Sequence, residues 1–340
     1  MARLNGPFGL RRMIAETAAL TDMIAREAPD AFRALGIDAV VADQMEPAAG
    51  LVAEHLRLPF VTTATGLPIN REPAVPPPYV AWPYDPSERG VWKNTGGYRV
   101  SDWLMKGVGD VIEHHAARLG VPPRRRADEG FSAHAQLAQS VAGLDFPRAE
   151  LPDSFHYLGP FRDSDGEWVL PEPDGRPLVF CSLGSLQGSR AAIFHKVAAV
   201  SADLGLRLIV AHGGRLAPDA IARLPGDPLV YDFVPQRAVL RQCALAITHA
   251  GFNTVLDAMS FGVPLVAIPL AFEQPATAAR LARAGVADIV PKRFSRARLR
   301  IAVERVLGNS SYRENAARVQ AEIATAGGVQ RAADLTEAAL

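Results

Sequence analysis

The 340-residue chain balances 36 basic against 36 acidic side chains, so it carries neither the basic footprint of a nucleic-acid binder nor a net charge directed at an anionic surface. Hydrophobic residues make up 49% of it, enough for two separate cores, and a chain of this length is expected to divide into two domains. No apolar run approaches the ~20 residues that a bilayer crossing needs, and Met1 to Pro7 lacks the apolar stretch of a secretory leader. A cytoplasmic protein is the expectation, with peripheral contact at the inner membrane face left open.

Leu10, Met13, Ile14, Leu20 and Ile24 recur at helical spacing and predict an amphipathic helix over residues 8–35. Ile37 to Ala42 reads as a buried strand ending at Asp43, Pro47 to Leu58 as a helix opened by proline, and Phe60 to Ala64 as a second strand. From Leu67 to Gly97 the prolines between Pro68 and Pro86 exclude regular structure, and Tyr79, Trp82, Tyr84 and Trp92 are interleaved with them. Such a segment is either a surface excursion or one wall for a large apolar ligand.

Asp163, Ser164, Asp165 and Gly166, followed by Pro171, Pro173, Asp174 and Gly175, mark a linker. They divide the chain into residues 1–160, a connection over 161–176, and residues 177–340. Asp163 and Asp165 also have the form of a metal-binding Asp-x-Asp, but their Gly/Pro setting reads as a turn. Past the linker, Pro177–Ser185, Arg207–His212, Leu229–Phe233, Ala244–His249, Pro264–Pro269 and Ala287–Val290 read as five or six strands separated by helices, and helices close the chain from Arg296. This alternation predicts an α/β protein with parallel sheets. Cys181 and Cys243 fall in apolar runs read as strands, which suits buried reduced thiols.

The chemistry concentrates between Asp232 and Val290. A strand ending at His249 passes through Ala250, Gly251, Phe252, Asn253 and Thr254 into a helix that carries Asp257. Ligands of doubly wound sheets bind where strands end and helices begin, and a helix N-terminus offers unbonded N–H groups to phosphate. Gly251 allows close backbone approach, while His249, Asn253 and Thr254 add donors for a diphosphate. Asp257, one turn beyond Asn253, can accept two ribose hydroxyls. The alternative is an ordinary capped turn. Phe233, Val234, Pro235 and Gln236 close the preceding strand with an aromatic face available to a base. Glu273 and Gln274 suit a hydroxyl-rich sugar, and Gly184 and Ser185 end the first strand of this half with the small residues that close phosphate approach requires. There is no Gly-x-x-x-x-Gly-Lys-Ser/Thr loop, no Gly-x-Gly-x-x-Gly turn and no Cys/His metal spacing.

In order and spacing these residues resemble the donor signature of GT-B UDP-glycosyltransferases. That signature runs W-x-P-Q, H-x-G-x-N-S/T, an acidic residue, G-V-P and D/E-Q. It stands here as Phe233 to Gln236, His249 to Thr254, Asp257, Gly262 to Pro264, and Glu273 with Gln274. Phe233 replaces the usual uracil-stacking Trp, and Glu273 the commoner sugar-holding Asp. Val41 to Pro47, Leu67 to Pro73, Asp102 to Met105, Leu144 to Pro147 and Pro269 to Phe272 extend the likeness over almost the whole chain, toward bacterial carotenoid glucosyltransferases. The resemblance implies a GT-B fold, in which two Rossmann-like doubly wound domains face a cleft, with the acceptor on residues 1–160 and the UDP-sugar on residues 177–340. It implies transfer of glucose from UDP-glucose to hydroxyls of a carotenoid such as zeaxanthin, with inversion and without a cofactor. No partner protein is implied.

In such enzymes the catalytic base is a His after the first N-terminal strand, oriented by an Asp. Asp43 takes the position of that Asp, although a strand-end cap is its other reading. The base has no counterpart here. One helix and one strand precede Asp43, so about two βα units of ~30 residues each are expected to be absent and the first domain incomplete at its start, through a misplaced start codon or a degraded gene. His55 reads as a surface residue, and adjacent His114 and His115 cannot face one ligand from one helix. His134, His156, His195 and His212 lie outside any recognisable catalytic setting. Two readings stand: an active glucosyltransferase, or a donor-binding remnant without the 10²–10⁴-fold that a general base typically supplies. A sugar-nucleotide epimerase is a weaker third, since acidic and basic groups on both lobes are not apparent.

Overall fold

The computed structural model describes residues 7–162, 164, 166–169 and 174–340. Met1 to Gly6 of the leader reading, and Asp163, Asp165, Pro171 and Pro173 of the linker and Asp-x-Asp readings, lie outside the described residues. The first half begins with helix α1 (Pro7–Leu35), strand β1 (Val40–Asp43), helix α2 (Pro47–Leu56) and strand β2 (Phe60–Ala64). Pro47 opens α2, the Glu46 carboxylate accepts from the Ala48 N–H at 3.2 Å, and Arg57 closes the helix in the left-handed region.

The proline-rich stretch is irregular only as far as Ser87, whereas the sequence suggests irregularity to Gly97. No proline follows Pro86 before Pro122, and the Ser87 hydroxyl accepts from the Gly90 N–H at 3.3 Å, so helix α3 (Glu88–Leu104) starts there. Helix α4 (Lys106–Leu119) and the short strands β3 (Ala135–Ala138) and β4 (Phe155–Tyr157) complete this half. The two strands have no counterpart among the expected ones, because runs of four and three residues carry no readable periodicity.

The second half follows the expected alternation. It runs β5 (Leu178–Ser182), α5 (Gly184–Gln187), α6 (Ala191–Asp203), β6 (Arg207–Ala211), α7 (Pro218–Ile221), β7 (Leu229–Tyr231), α8 (Gln236–Leu240), β8 (Leu245–Thr248) and α9 (Phe252–Ser260). Then come β9 (Leu265–Ala267), α10 (Gln274–Ala284), β10 (Ala287–Ile289), α11 (Arg296–Gly308), α12 (Ser310–Thr325) and α13 (Gly328–Ala339).

Among the described residues the strands form a four-stranded sheet in the order β1-β2-β3-β4 and a six-stranded sheet in the order β10-β9-β8-β5-β6-β7. Every pairing is parallel. The larger sheet is buried on both faces, and its period-2 alternation sorts side chains into two cores. Val179, Cys181, Leu208, Val210, Leu245 and Ile247 pack toward α6 and α11, while Phe180, Ile209 and Ala246 pack toward α8, α9 and α12. Each large aliphatic side chain so buried contributes about 1.5–3 kcal/mol. Cys181 is on β5, but Cys243 lies in the turn before β8 rather than in a strand; both are buried free thiols. The last helix crosses back, and Ala332 and Leu335 of α13 pack against Val61 and Leu137 of the smaller sheet. Among the described residues no helix is long and apolar enough to cross a membrane.

Candidate functional site

Chain order in the larger sheet reverses between β8 and β5, and the loops leaving these strands diverge to open a crevice at their C-terminal ends. His249 stands in that crevice, 9% exposed. Burial pushes its imidazole down to about 4, against an opposing hydrogen bond that the ring donates to the Ser182 backbone, so the ring is neutral at pH 7. Two glycines admit it. A Cβ at Gly184 would sit 2.9 Å from His249 Cε1, and one at Gly251 only 2.4 Å from Nε2. Ala250 holds φ +65°, a strained value for a residue with a side chain, and it turns the chain sharply into α9. No side chain caps α9, so its first N–H groups face the crevice without an internal acceptor.

Above this turn lies a polar network drawn from both halves of the chain. The Gln236 amide donates to Asp257 Oδ2 at 2.7 Å, while its oxygen accepts from the Thr254 hydroxyl at 3.2 Å. Arg162, from the segment after β4, donates from Nε to Asp257 Oδ1 at 2.9 Å and from its terminal nitrogens to Asn253 Oδ1 at 3.0 Å and Gln139 Oε1 at 3.1 Å. The Gln139 amide donates to Asn253 Oδ1 at 2.9 Å and also to the Thr65 carbonyl. Arg237 approaches Asp257 Oδ1 at 3.4 Å. The Asp257 carboxylate is therefore already engaged by two cations and an amide.

The remaining sequence-derived residues scatter more widely. Phe233 leaves the end of β7 with its ring 70% exposed, near Gly214, and Val234 beside it is half-buried. Ser185 abuts Gly213 across the crevice floor. Half-buried Glu273 precedes α10, and burial raises its carboxyl above the usual range. Gln274 is buried and directed inward, its side-chain oxygen accepting from the Leu270 and Ala271 N–H groups at 2.9 Å, so it braces the loop that presents Glu273. His212 is a turn residue, since its Nδ1 accepts from the Arg215 and Leu216 N–H groups at 3.1 and 3.0 Å.

Asp43 ends β1 with Oδ1 accepting from the Met45 N–H at 2.9 Å and Oδ2 from the Thr65 hydroxyl at 2.5 Å; among the described residues no histidine joins it. Through Thr65 and Gln139 it connects with Asn253 across the cleft. His115 is buried and bonds Asp22 at 2.8 Å, and His55 bonds the Leu119 carbonyl at 2.7 Å instead of standing free on the surface. Among the described residues no group of three or more His, Cys, Asp or Glu could hold a metal ion.

A cavity of about 940 Å³ is bounded by α1, α3, α4 and the proline-rich loop. Met13, Ile14, Ile69, Pro78 and Met105 make its wall apolar, and Ala271 and Phe272, next to Glu273, reach its edge from the other half. Charged groups are also frequent along its lining, and they pair with one another or with neighbours: Arg125 meets Glu113 at 2.8 Å, Arg126 meets Glu129 at 2.6 Å, and Arg124 is held by Glu54. Arg71 clamps Asp102 at 2.6 and 3.0 Å and lies 4.9 Å from the Tyr98 ring centre. Burial raises the Tyr98 hydroxyl to about 12, and it donates to the Val75 carbonyl at 3.1 Å. The proline-rich loop is thus a wall as well as a surface.

Arg162 and Gln139 escaped the sequence reading. Both follow strands of the smaller sheet and reach the β8–α9 turn only through the packing of the two halves; a lone arginine beside a linker carries no motif.

The sequence model of the family described as UDP-glucoronosyl and UDP-glucosyl transferase matches residues 110–323. A zeaxanthin glucosyltransferase of Pseudescherichia vulneris is 40% identical over 333 residues, covering 97% of this chain and 81% of its own length. Another, of Pantoea ananas, is 39% identical over 98% of this chain and 78% of its own. Among solved structures, the calicheamicin glycosyltransferase CalG4 superposes with a TM-score of 0.76 at 27% identity, over 97% of this chain and 82% of its own. Its likeness extends to both sheets, as a GT-B fold requires.

Proposed function

Because this chain belongs to the UDP-glucoronosyl and UDP-glucosyl transferase family, and so is a glycosyltransferase, we propose that it moves glucose from UDP-glucose to a hydroxyl of a carotenoid such as zeaxanthin, with inversion at the anomeric carbon. One observation carries the reading: a largely apolar cavity of about 940 Å³ in the first half reaches Ala271 and Phe272 of the second half, directly before Glu273 in the chain. A polyene with a terminal hydroxyl suits such a space, being apolar along its length and polar only where it reacts.

On this reading the α9 N-terminus, His249, Asn253 and Thr254 hold the diphosphate, with Gly184, Ser185 and Gly251 permitting its approach. Gln236 and Asp257 take the ribose, while Phe233 and Val234 flank the uracil. Glu273 orients the sugar hydroxyls from a loop braced by Gln274. The acceptor oxygen attacks the anomeric carbon as its bond to the diphosphate breaks. UDP leaves with the electron pair, and the hydroxyl proton must pass to a base. Residues 1–160 would serve the acceptor and residues 177–340 the donor, with α13 returning to the first sheet. Asp43 would orient a base on the acceptor side. Its present partners, Met45 and Thr65, favour a second reading in which the chain binds donor without efficient turnover.

Calorimetric titration with UDP and UDP-glucose, followed by chromatography of reactions with detergent-dispersed zeaxanthin, tests both readings. Binding with glucoside formation supports the transferase. Binding without product supports the donor-binding reading, and no binding of UDP overturns the assignment of His249, Asn253, Thr254 and Asp257.

A further inference from the structure

Helix α3 carries its largest apolar side chains outward rather than toward the core. Its inward side is small or polar: Gly90 and Asn94 are buried, Asn94 donates to the Pro73 carbonyl at 3.1 Å, and Tyr98 and Ser101 border the cavity. Its outward side carries the aromatic bulk. Trp92 is 79% exposed and Trp103 is 72% exposed, with Val100 exposed between them. At 100° per residue the two indoles project within about 20° of each other, roughly 17 Å apart along the axis. Globular proteins rarely leave large apolar side chains aligned in water without a partner.

Basic residues frame these rings. Arg89 and Arg99 lie on the same face, both exposed and neither in an ion pair among the described residues, while Lys93 lies 4.3 Å from the Trp82 ring centre. Of the acidic residues on α3, Asp102 is taken by Arg71, which leaves Glu88. Tryptophan beside arginine on one helix face is the composition that settles at the headgroup level of a bilayer, where indoles partition to the interface and cations meet anionic lipid. The patch also runs into the cavity mouth, because exposed Leu104 of α3 and Leu10 of α1 both line that cavity.

We propose that the outward face of α3 docks on an anionic bilayer surface and sets the cavity mouth against it, so that a lipid-held acceptor enters without crossing water. The entry route rests on the carotenoid reading above; the docking itself rests on Trp92, Trp103, Arg89 and Arg99.

The test uses the full chain with neither donor nor acceptor. It is floated with vesicles of phosphatidylcholine alone and with vesicles of equimolar phosphatidylcholine and phosphatidylglycerol. The wild type is expected to float with the anionic vesicles, with tryptophan emission shifted to the blue. Trp92→Ser with Trp103→Ser should weaken binding about tenfold or more, leaving far-UV circular dichroism unchanged because neither ring contributes to a core. Arg89→Glu with Arg99→Glu should remove the preference for anionic lipid, about fivefold per residue. Failure of the wild type to float, or equal flotation of the tryptophan variant, overturns the proposal. So does a lipid-free dimer that the tryptophan variant converts to monomer, since the face would then belong to a second copy. Vesicles without carotenoid make the result independent of acceptor identity, whose failure would appear only in the product chromatography.

Discussion

Arg162→Ala separates two roles for a guanidinium that spans the donor turn. The side chain is 22% exposed and Asp257 only 7%, so solvent screens their contact weakly. Arg162 also bonds Asn253, the residue assigned to the diphosphate, and the neighbouring His249 is neutral and adds no charge. On the proposed assignment, a diphosphate held by Asn253 would lie beside the Arg162 guanidinium. A hydrogen bond to a charged group is worth about 1.5–3 kcal/mol, so losing it should weaken UDP binding roughly 10- to 150-fold. Uridine, which has no phosphate, should change by less than about threefold. Calorimetry with both ligands reads the difference, and Arg162→Lys should recover part of the UDP affinity, since it restores the charge without the planar fork. The opposite sign refutes the reasoning. If Arg162→Ala binds UDP unchanged or more tightly, and uridine more tightly, then Arg162 merely competes with the ribose for Asp257.

The depressed imidazole of His249 makes stability fall with acid. Folded His249 protonates near 4 against 6.5 unfolded, so its contribution is complete above pH 6.5 and is lost as pH falls toward 4, on the order of 3 kcal/mol in all. Urea unfolding from pH 7 to 4.5 should show a shallower pH dependence in His249→Asn; identical slopes would disprove it. Between the halves, Arg280 of α10 donates to buried Asp145 at 2.7 Å and lies 4.3 Å from the Phe146 ring centre. Arg280→Met should cost toward the lower end of about 3–5 kcal/mol, because Arg148 and Tyr157 still hold the carboxylate at 2.9 and 2.8 Å. A urea midpoint unchanged by that substitution would mean the pair contributes nothing net.

What was legible in the sequence is what local spacing encodes. The βα alternation of the second half appears in apolar runs such as Leu178–Ser182 and Leu245–Thr248, since strands buried on both faces must be continuously apolar. The strand-to-helix turn was legible because His249, Gly251, Asn253, Thr254 and Asp257 fall within one strand end and its following helix. Strands β3 and β4 were not, being too short for a period and formed mainly because β2 offers an edge to β3 and β3 in turn to β4. Nor did the sequence reveal that Gln274 faces its own loop, or that Arg162 and Gln139 reach Asn253 over separations of 91 and 114 residues. Composition placed Trp92 among the proline-rich aromatics, but only the helix starting at Glu88 aligned it with Trp103 on an outward face. Such meetings depend on how two sheets and a returning α13 pack together, and long-range geometry of that kind leaves no periodic signal in the chain that folds into it.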